Sequence, residues 1–145
     1  MSSYEQDLLE GLAQQLHDDG VATYRPDEPY LDEDTAITFG TMPDSPDRCV
    51  TLTAYPLSDA PREAKSLLGV QVRSRAGSYL EANELNVAIF QSLHGLTGRQ
   101  YDTCHLVQLL RNSSVPMGED DSQRWEHSAN FHADINPPTT ALRPE

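Results

Sequence analysis

The sequence predicts an α+β, two-layer domain in which two main helices flank an antiparallel or mixed β-sheet of four to six strands. Apolar residues recur at helical spacing in two separate segments and alternate with polar ones in several others. The connections between the alternating segments are mostly short, which favours antiparallel pairing with the helices on one face. A chain of 145 residues holds one modest core. One domain over residues 1–135 is therefore expected, with 136–145, from Asn136-Pro137-Pro138 onward, as an extended or disordered tail.

The first helix is expected over about residues 4–18, because Leu8, Leu9, Leu12 and Leu16 fall on one stripe. Ser3 and Gln6 have capping-box spacing, and Gly20 supplies the stop. A short extended piece at Val21–Tyr24 follows. Pro26–Asp34 reads as an acidic loop, Ile37–Phe39 as a short strand, and Met42–Asp47 as a turn. Cys49–Tyr55 alternates, with Val50, Leu52 and Ala54 on one face and Thr51, Thr53 and Tyr55 on the other. Pro56 is expected to end that strand and open a second loop reaching Leu68. Val70–Arg75 alternates again, with Gln71, Arg73 and Arg75 opposite Val70 and Val72.

Ser78 with Glu81 makes another capping box, opening a helix to about Leu93 whose core stripe is Leu85, Ala88, Ile89 and Leu93, with Gly95 as its C-terminal signal. Tyr101–Leu110 is expected to be a strand bent near Cys104, and Asn112–Gln123 a third long polar loop. The last strand spans Arg124–Ile135, with Trp125, Ala129, Phe131 and Ile135 on its apolar face.

Charge is unevenly distributed along the chain. The net charge is -13; residues 1–47 contain twelve acids and one base (-11), and residues 48–145 eleven acids and nine bases (-2). A phosphate-binding surface needs the opposite sign, so tight nucleic-acid binding is not expected. No apolar run has the length of a membrane span, no secretory signal is recognisable at the N-terminus, and folding in a cytoplasm is expected. In that setting Cys49 and Cys104, which show no metal-ligand spacing, are expected to be small strand residues rather than a disulfide.

Reactive chemistry finds little support. There is no GxGxxG, GxxxxGK[ST] or GxSxG motif. His127, His132 and Asp134 invite a metal reading, but a regular strand sends His127 to one face and the other two to the opposite face. His17, His94 and His105 have no second ligand in register. No catalytic, cofactor-binding or metal residue is therefore assigned. The arginine pair Arg73 and Arg75 is a candidate subunit interface, since two cations on one strand face offer a partner for acids of the same chain or of a neighbour.

Several segments, in order, resemble a family of small tailed-phage proteins, the tail-terminator or tail-completion proteins often labelled minor capsid proteins. They are Ile37–Pro43 with Pro46-Asp47, Leu52 and Tyr55, Val70–Arg73, Leu93–Leu96, Pro116–Gly118 with Asp120, and Arg124–Phe131. Together they reach across about residues 5–135. The resemblance implies a structural virion protein with helices flanking an antiparallel sheet. It implies a homo-hexameric ring that caps the tail tube, binds tail-tube protein, and offers a surface to a neck or head-completion protein. It implies no cofactor and no catalytic residue.

The acid-rich segment Asp27–Asp34 is longer and more charged than that family requires. Genomic DNA would pass through such a ring without specific binding. The acids Asp27, Glu28, Asp32, Glu33, Asp34, Glu119, Asp120 and Asp121 are accordingly candidates for a lumen or partner-facing surface. Competing readings are a head-completion or neck connector and, from another class, a monomeric protein-binding domain using its acidic loop. A metal-dependent hydrolase ranks behind both.

Overall fold

A computed structural model describes residues 3–59 and 66–136. Two helices, α1 (Tyr4–Asp18) and α2 (Tyr79–Leu93), accompany six strands: β1 (Ala36–Phe39), β2 (Cys49–Asp59), β3 (Ser66–Ala76), β4 (Thr97–Tyr101), β5 (Cys104–Glu119) and β6 (Trp125–Asn136). The strands form one mixed sheet in the order β1-β2-β3-β6-β5-β4, antiparallel throughout except for the parallel β1–β2 pair. The α+β expectation holds.

Both helices begin where the capping boxes placed them. Ser3 Oγ accepts from the Gln6 backbone N–H at 3.0 Å, and Ser78 Oγ from that of Glu81 at 3.2 Å, each satisfying a donor that the first turn leaves unpaired. α1 is capped at Asp19, and Gly20 follows at φ +74°, a conformation that costs glycine little. Leu8, Leu9, Leu12, Ala13 and Leu16 are buried along one face of α1; Leu85, Ile89 and Leu93 do the same on α2, with Ala88 at the margin. α1 packs over β2, β4 and β5, while α2 packs over β3, β5 and β6.

The two helices and one sheet face thus enclose a single core. Val50 and Leu52, Leu68, Val70 and Val72, Leu106 and Leu109, and Ala129, Phe131, Ala133 and Ile135 supply the sheet side of it.

Three stretches depart from the sequence expectation. Pro56 does not end β2: the strand runs on to Asp59, with a register shift between Pro56 and Ser58, and β3 starts at Ser66. β1 pairs with β2 only as far as Leu52, so Pro56 lies where β2 is an edge strand and a missing N–H is tolerated. The Asn112–Gln123 loop is likewise mostly strand, because β5 continues through Pro116 to Glu119 with shifts at Arg111/Ser113 and Pro116/Gly118. There too, among the described residues, one side of the strand has no neighbour, since β4 pairs with β5 only as far as Gln108.

The third departure is at Tyr101. It closes β4 rather than opening the next strand, and Asp102 at φ 51° with Thr103 turns the chain into β5. Of the expected tail, Asn136 ends β6 and the remainder lies outside the described residues.

Gly11 shows which of two opposing effects governs α1. Alanine is favoured over glycine inside a helix by about 1 kcal/mol. Here, however, a Cβ would run into the ring of Tyr101 at its root, where the side chain has least freedom to move. Gly11→Ala is expected to lower stability by about 1–3 kcal/mol. In a Tyr101→Ala background the same change should be neutral or stabilising. Urea unfolding of the four-member cycle checks the reversal of sign.

Candidate assembly surfaces

The acid-rich segment after α1 is folded around one ion pair. Arg25 Nε donates to Asp34 Oδ2 at 2.9 Å, and the same oxygen accepts the Leu31 backbone N–H at 2.8 Å. Tyr30 closes the segment against β1 by donating its hydroxyl to the Ile37 carbonyl at 2.6 Å. A parallel bridge from Thr23 to Ala36 also aligns the segment with the edge of the sheet. Asp34 is therefore buried, while Asp27, Glu28, Asp32 and Glu33 stay exposed. The hydrogen bond from Arg25, then that from Leu31, holds the Asp34 carboxyl below its ordinary 3.8.

A second node gathers around Arg124, which the sequence reading missed. Its Nε donates to Asp120 Oδ2 at 2.9 Å, and Nη1 reaches the Asp44 carbonyl and, at 3.4 Å, Asp47 Oδ1. Asp120 Oδ1 accepts from the Ser122 and Arg124 backbone N–H groups, both at 2.9 Å, and these bonds shape the β5–β6 turn. The available signal was the Asp120–Arg124 spacing of four, which suits a charged clasp across a tight turn. Glu119 and Asp121 remain exposed on either side of it. Of the eight acids singled out, then, Asp34 and Asp120 organise their own turns, and the other six face solvent.

Arg73 and Arg75 share a strand face, but not as an open cationic stripe. Arg75 is only 3% exposed, and its guanidinium donates to the Asp47 and Pro46 carbonyls, both at 2.8 Å, tying the 40–48 connection to the sheet. Arg73 pairs with Glu126 at 2.6 Å and keeps 35% of its side chain exposed. Of the two, only Arg73 presents charge at the surface.

The histidine set behaves as strand alternation requires. His127 is buried beneath α2 beside the edge-to-face pair of Tyr79 and Trp125, and burial lowers its pKa. His132 and Asp134 lie on the opposite face, lining an open cleft of about 300 Å³ with Leu67, Gln108, Leu110, Arg111 and Asn112. Among the described residues no three His, Cys, Asp or Glu side chains are grouped to hold a metal ion. Both cysteines are buried free thiols, and burial, with Asp7 nearby, pushes Cys104 up to about 11. No described helix is long and apolar enough to cross a membrane.

What the fold offers instead is surface. Leu80, Val87, Leu110, Val115 and Met117 are large apolar side chains left exposed on α2 and β5. Residues 15–137, nearly the whole of this architecture, match the family model described as bacteriophage tail terminator protein. The chain belongs to the bacteriophage tail terminator family. This terminator is accordingly a structural tail protein and a virion component.

Its fold is also similar to that of a chain in a solved structure titled virion of native gene transfer agent particle. The TM-score is 0.63 at 17% identity, covering 88% of the terminator and 93% of that chain. No curated protein matches the terminator significantly.

Because the folded state holds Asp34 below 3.8, its ion pair adds stability that is fully present above that value and is lost as pH falls through the lower folded one. Urea midpoints measured from about pH 6 to about pH 3 should fall on the acid side for the wild type. Asp34→Asn should start lower at neutral pH and show a shallower acid limb. Parallel acid limbs for the two proteins would refute the clasp.

Proposed function

We propose that this terminator assembles into a homo-hexameric ring that caps the tail tube, stops its polymerisation and presents the joining surface to the neck or head. The observation that carries this is the family match across residues 15–137. A cap needs one face that resembles tube protein, so that it binds, and one that does not, so that addition stops. The role is structural and requires no turnover at any residue. Assembly takes place in the cytoplasm of the host cell.

The exposed acids suit the passage of DNA. Asp27, Glu28, Asp32, Glu33, Glu119 and Asp121 are the solvent-facing carboxylates from which a lumen lining would be drawn. Fixed negative charge repels phosphates over a screening length of about 8 Å at physiological salt, letting the genome pass without adhering. Arg73, with part of its side chain open beside Glu126, is a secondary candidate for a contact between subunits.

Electron microscopy of particles made without this gene tests the reading. Tails of unregulated length, or finished heads and tails left unjoined, are expected. Tails of normal length attached to filled heads would refute it.

A further inference from the structure

A ring built head to tail needs two different surfaces on each subunit that fit one another. For a chain of net charge -13, like charge restricts where those surfaces lie. Residues 85–118 contain one acid, Asp102, and two bases, Arg99 and Arg111, whereas residues 1–47 contain twelve acids and Arg25. Five of those twelve acids, Glu5, Asp7, Glu10, Asp18 and Asp19, belong to α1 or its C-cap, and α1 packs over β4 and β5; the 27–34 segment and β5 lie toward opposite ends of the strand order. β4 and β5 form one edge; β1, with the acid-rich segment laid beside it, forms the other.

The β5 end is open. β4 accompanies β5 only to Gln108; the Leu109 and Arg111 backbone N–H groups then go to the Leu96 carbonyl and His94 Nδ1. From Asn112 to Gly118 no strand of the described residues lies on that side. Val115 and Met117 are exposed along this reach, Leu110 is exposed just before it on the face of His132 and Asp134, and Val87 is exposed on α2. The helix is tied to the strand by the Asn86 amide donating to Ser114 Oγ at 3.0 Å, and by Arg111 stacked 4.1 Å over the Phe90 ring. Arg111, like Arg48 and Arg99, has no carboxylate within ion-pair distance among the described residues, while Arg25, Arg73 and Arg124 each do; Arg99 lines a cleft with Asp7, Glu10 and Asp18 of α1. The bulges and Pro116 oppose continuous strand addition, so this edge offers side chains rather than a hydrogen-bond ladder.

We propose that the α2–β5 edge of one copy receives the acid-rich 27–34 segment of the next copy, with Arg111 set against its exposed carboxylates and the apolar side chains filling the contact. This rests on the ring reading above and supplies its two unlike surfaces. It assigns the 27–34 carboxylates to the subunit boundary and leaves Glu119 and Asp121 for the channel.

Charge exchange across the boundary tests it with the full chain. Sedimentation velocity over a concentration series should show a closed oligomer for the wild type, weakening as salt rises. Arg111→Glu should raise the concentration for half-assembly by about tenfold or more, as should Asp32→Arg with Glu33→Arg. Uniting all three substitutions in one chain should restore assembly to within about threefold of the wild type, because opposite charges face each other again. Circular dichroism and urea midpoints confirm that each variant is folded, and the loop variant stands as a second probe if Arg111→Glu unfolds the helix contact. An oligomer indifferent to both reversals, or a united variant that assembles no better than its parents, would overturn the edge assignment while leaving the ring intact. A wild type that is monomeric at every concentration would overturn the ring reading as well.

Discussion

The pairing of β3 with β6 is the constraint on which the rest of this molecule depends. It runs without a register shift through all eleven residues of β3, from Ser66↔Ile135 to Ala76↔Trp125. On one face this register aligns Leu68 with Ala133, Val70 with Phe131 and Val72 with Ala129, all buried under the helices. On the other it aligns Gln71 with Asn130 and Arg73 with Ser128. A slip of one residue would exchange the two faces, placing polar groups in the core. Since both helices lie on the apolar face, the opposite face and the sheet edges are left to solvent or to partners.

The charge of the chain follows from that layout. Three of its seven described arginines serve as internal fasteners: Arg25 holds the segment beside β1, Arg75 anchors the 40–48 connection, and Arg124 binds the β5–β6 turn to that connection. Isolated surface ion pairs contribute little stability. These arginines gain from sitting where backbone carbonyls or turn geometry fix them, and their value is positional. What remains is an acidic exterior, with Arg111 on β5 among the few described cations free of a carboxylate.

Much of this was legible in the sequence. Both capping boxes, the leucine stripe of α1 and the alternation of β6 translated directly into observed elements, because each reflects local physics that tertiary packing reinforces. The prolines misled. Pro56 and Pro116 normally mark the ends of strands, yet each sits where its strand has lost a neighbour, and strand order is not encoded locally. The fates of Arg75 and Arg124 were hidden for a similar reason. Their partners, Pro46, Asp44 and Asp47, lie in a connection whose position depends on the parallel β1–β2 pair. Of the acidic candidates, the six exposed ones were recognisable by composition, while the burial of Asp34 required knowing that Arg25 folds back across nine residues.

The proposed function requires this domain to work as one of several identical copies closed into an annulus at the end of the tail tube. Electron cryomicroscopy of the intact head–tail junction measures that directly. A rotationally symmetric ring of this fold is expected, seated on the last layer of tube protein, with the β5 edge of each copy against the β1 edge of the next. Density for this fold found as a lone copy, or away from the tube end, would contradict it.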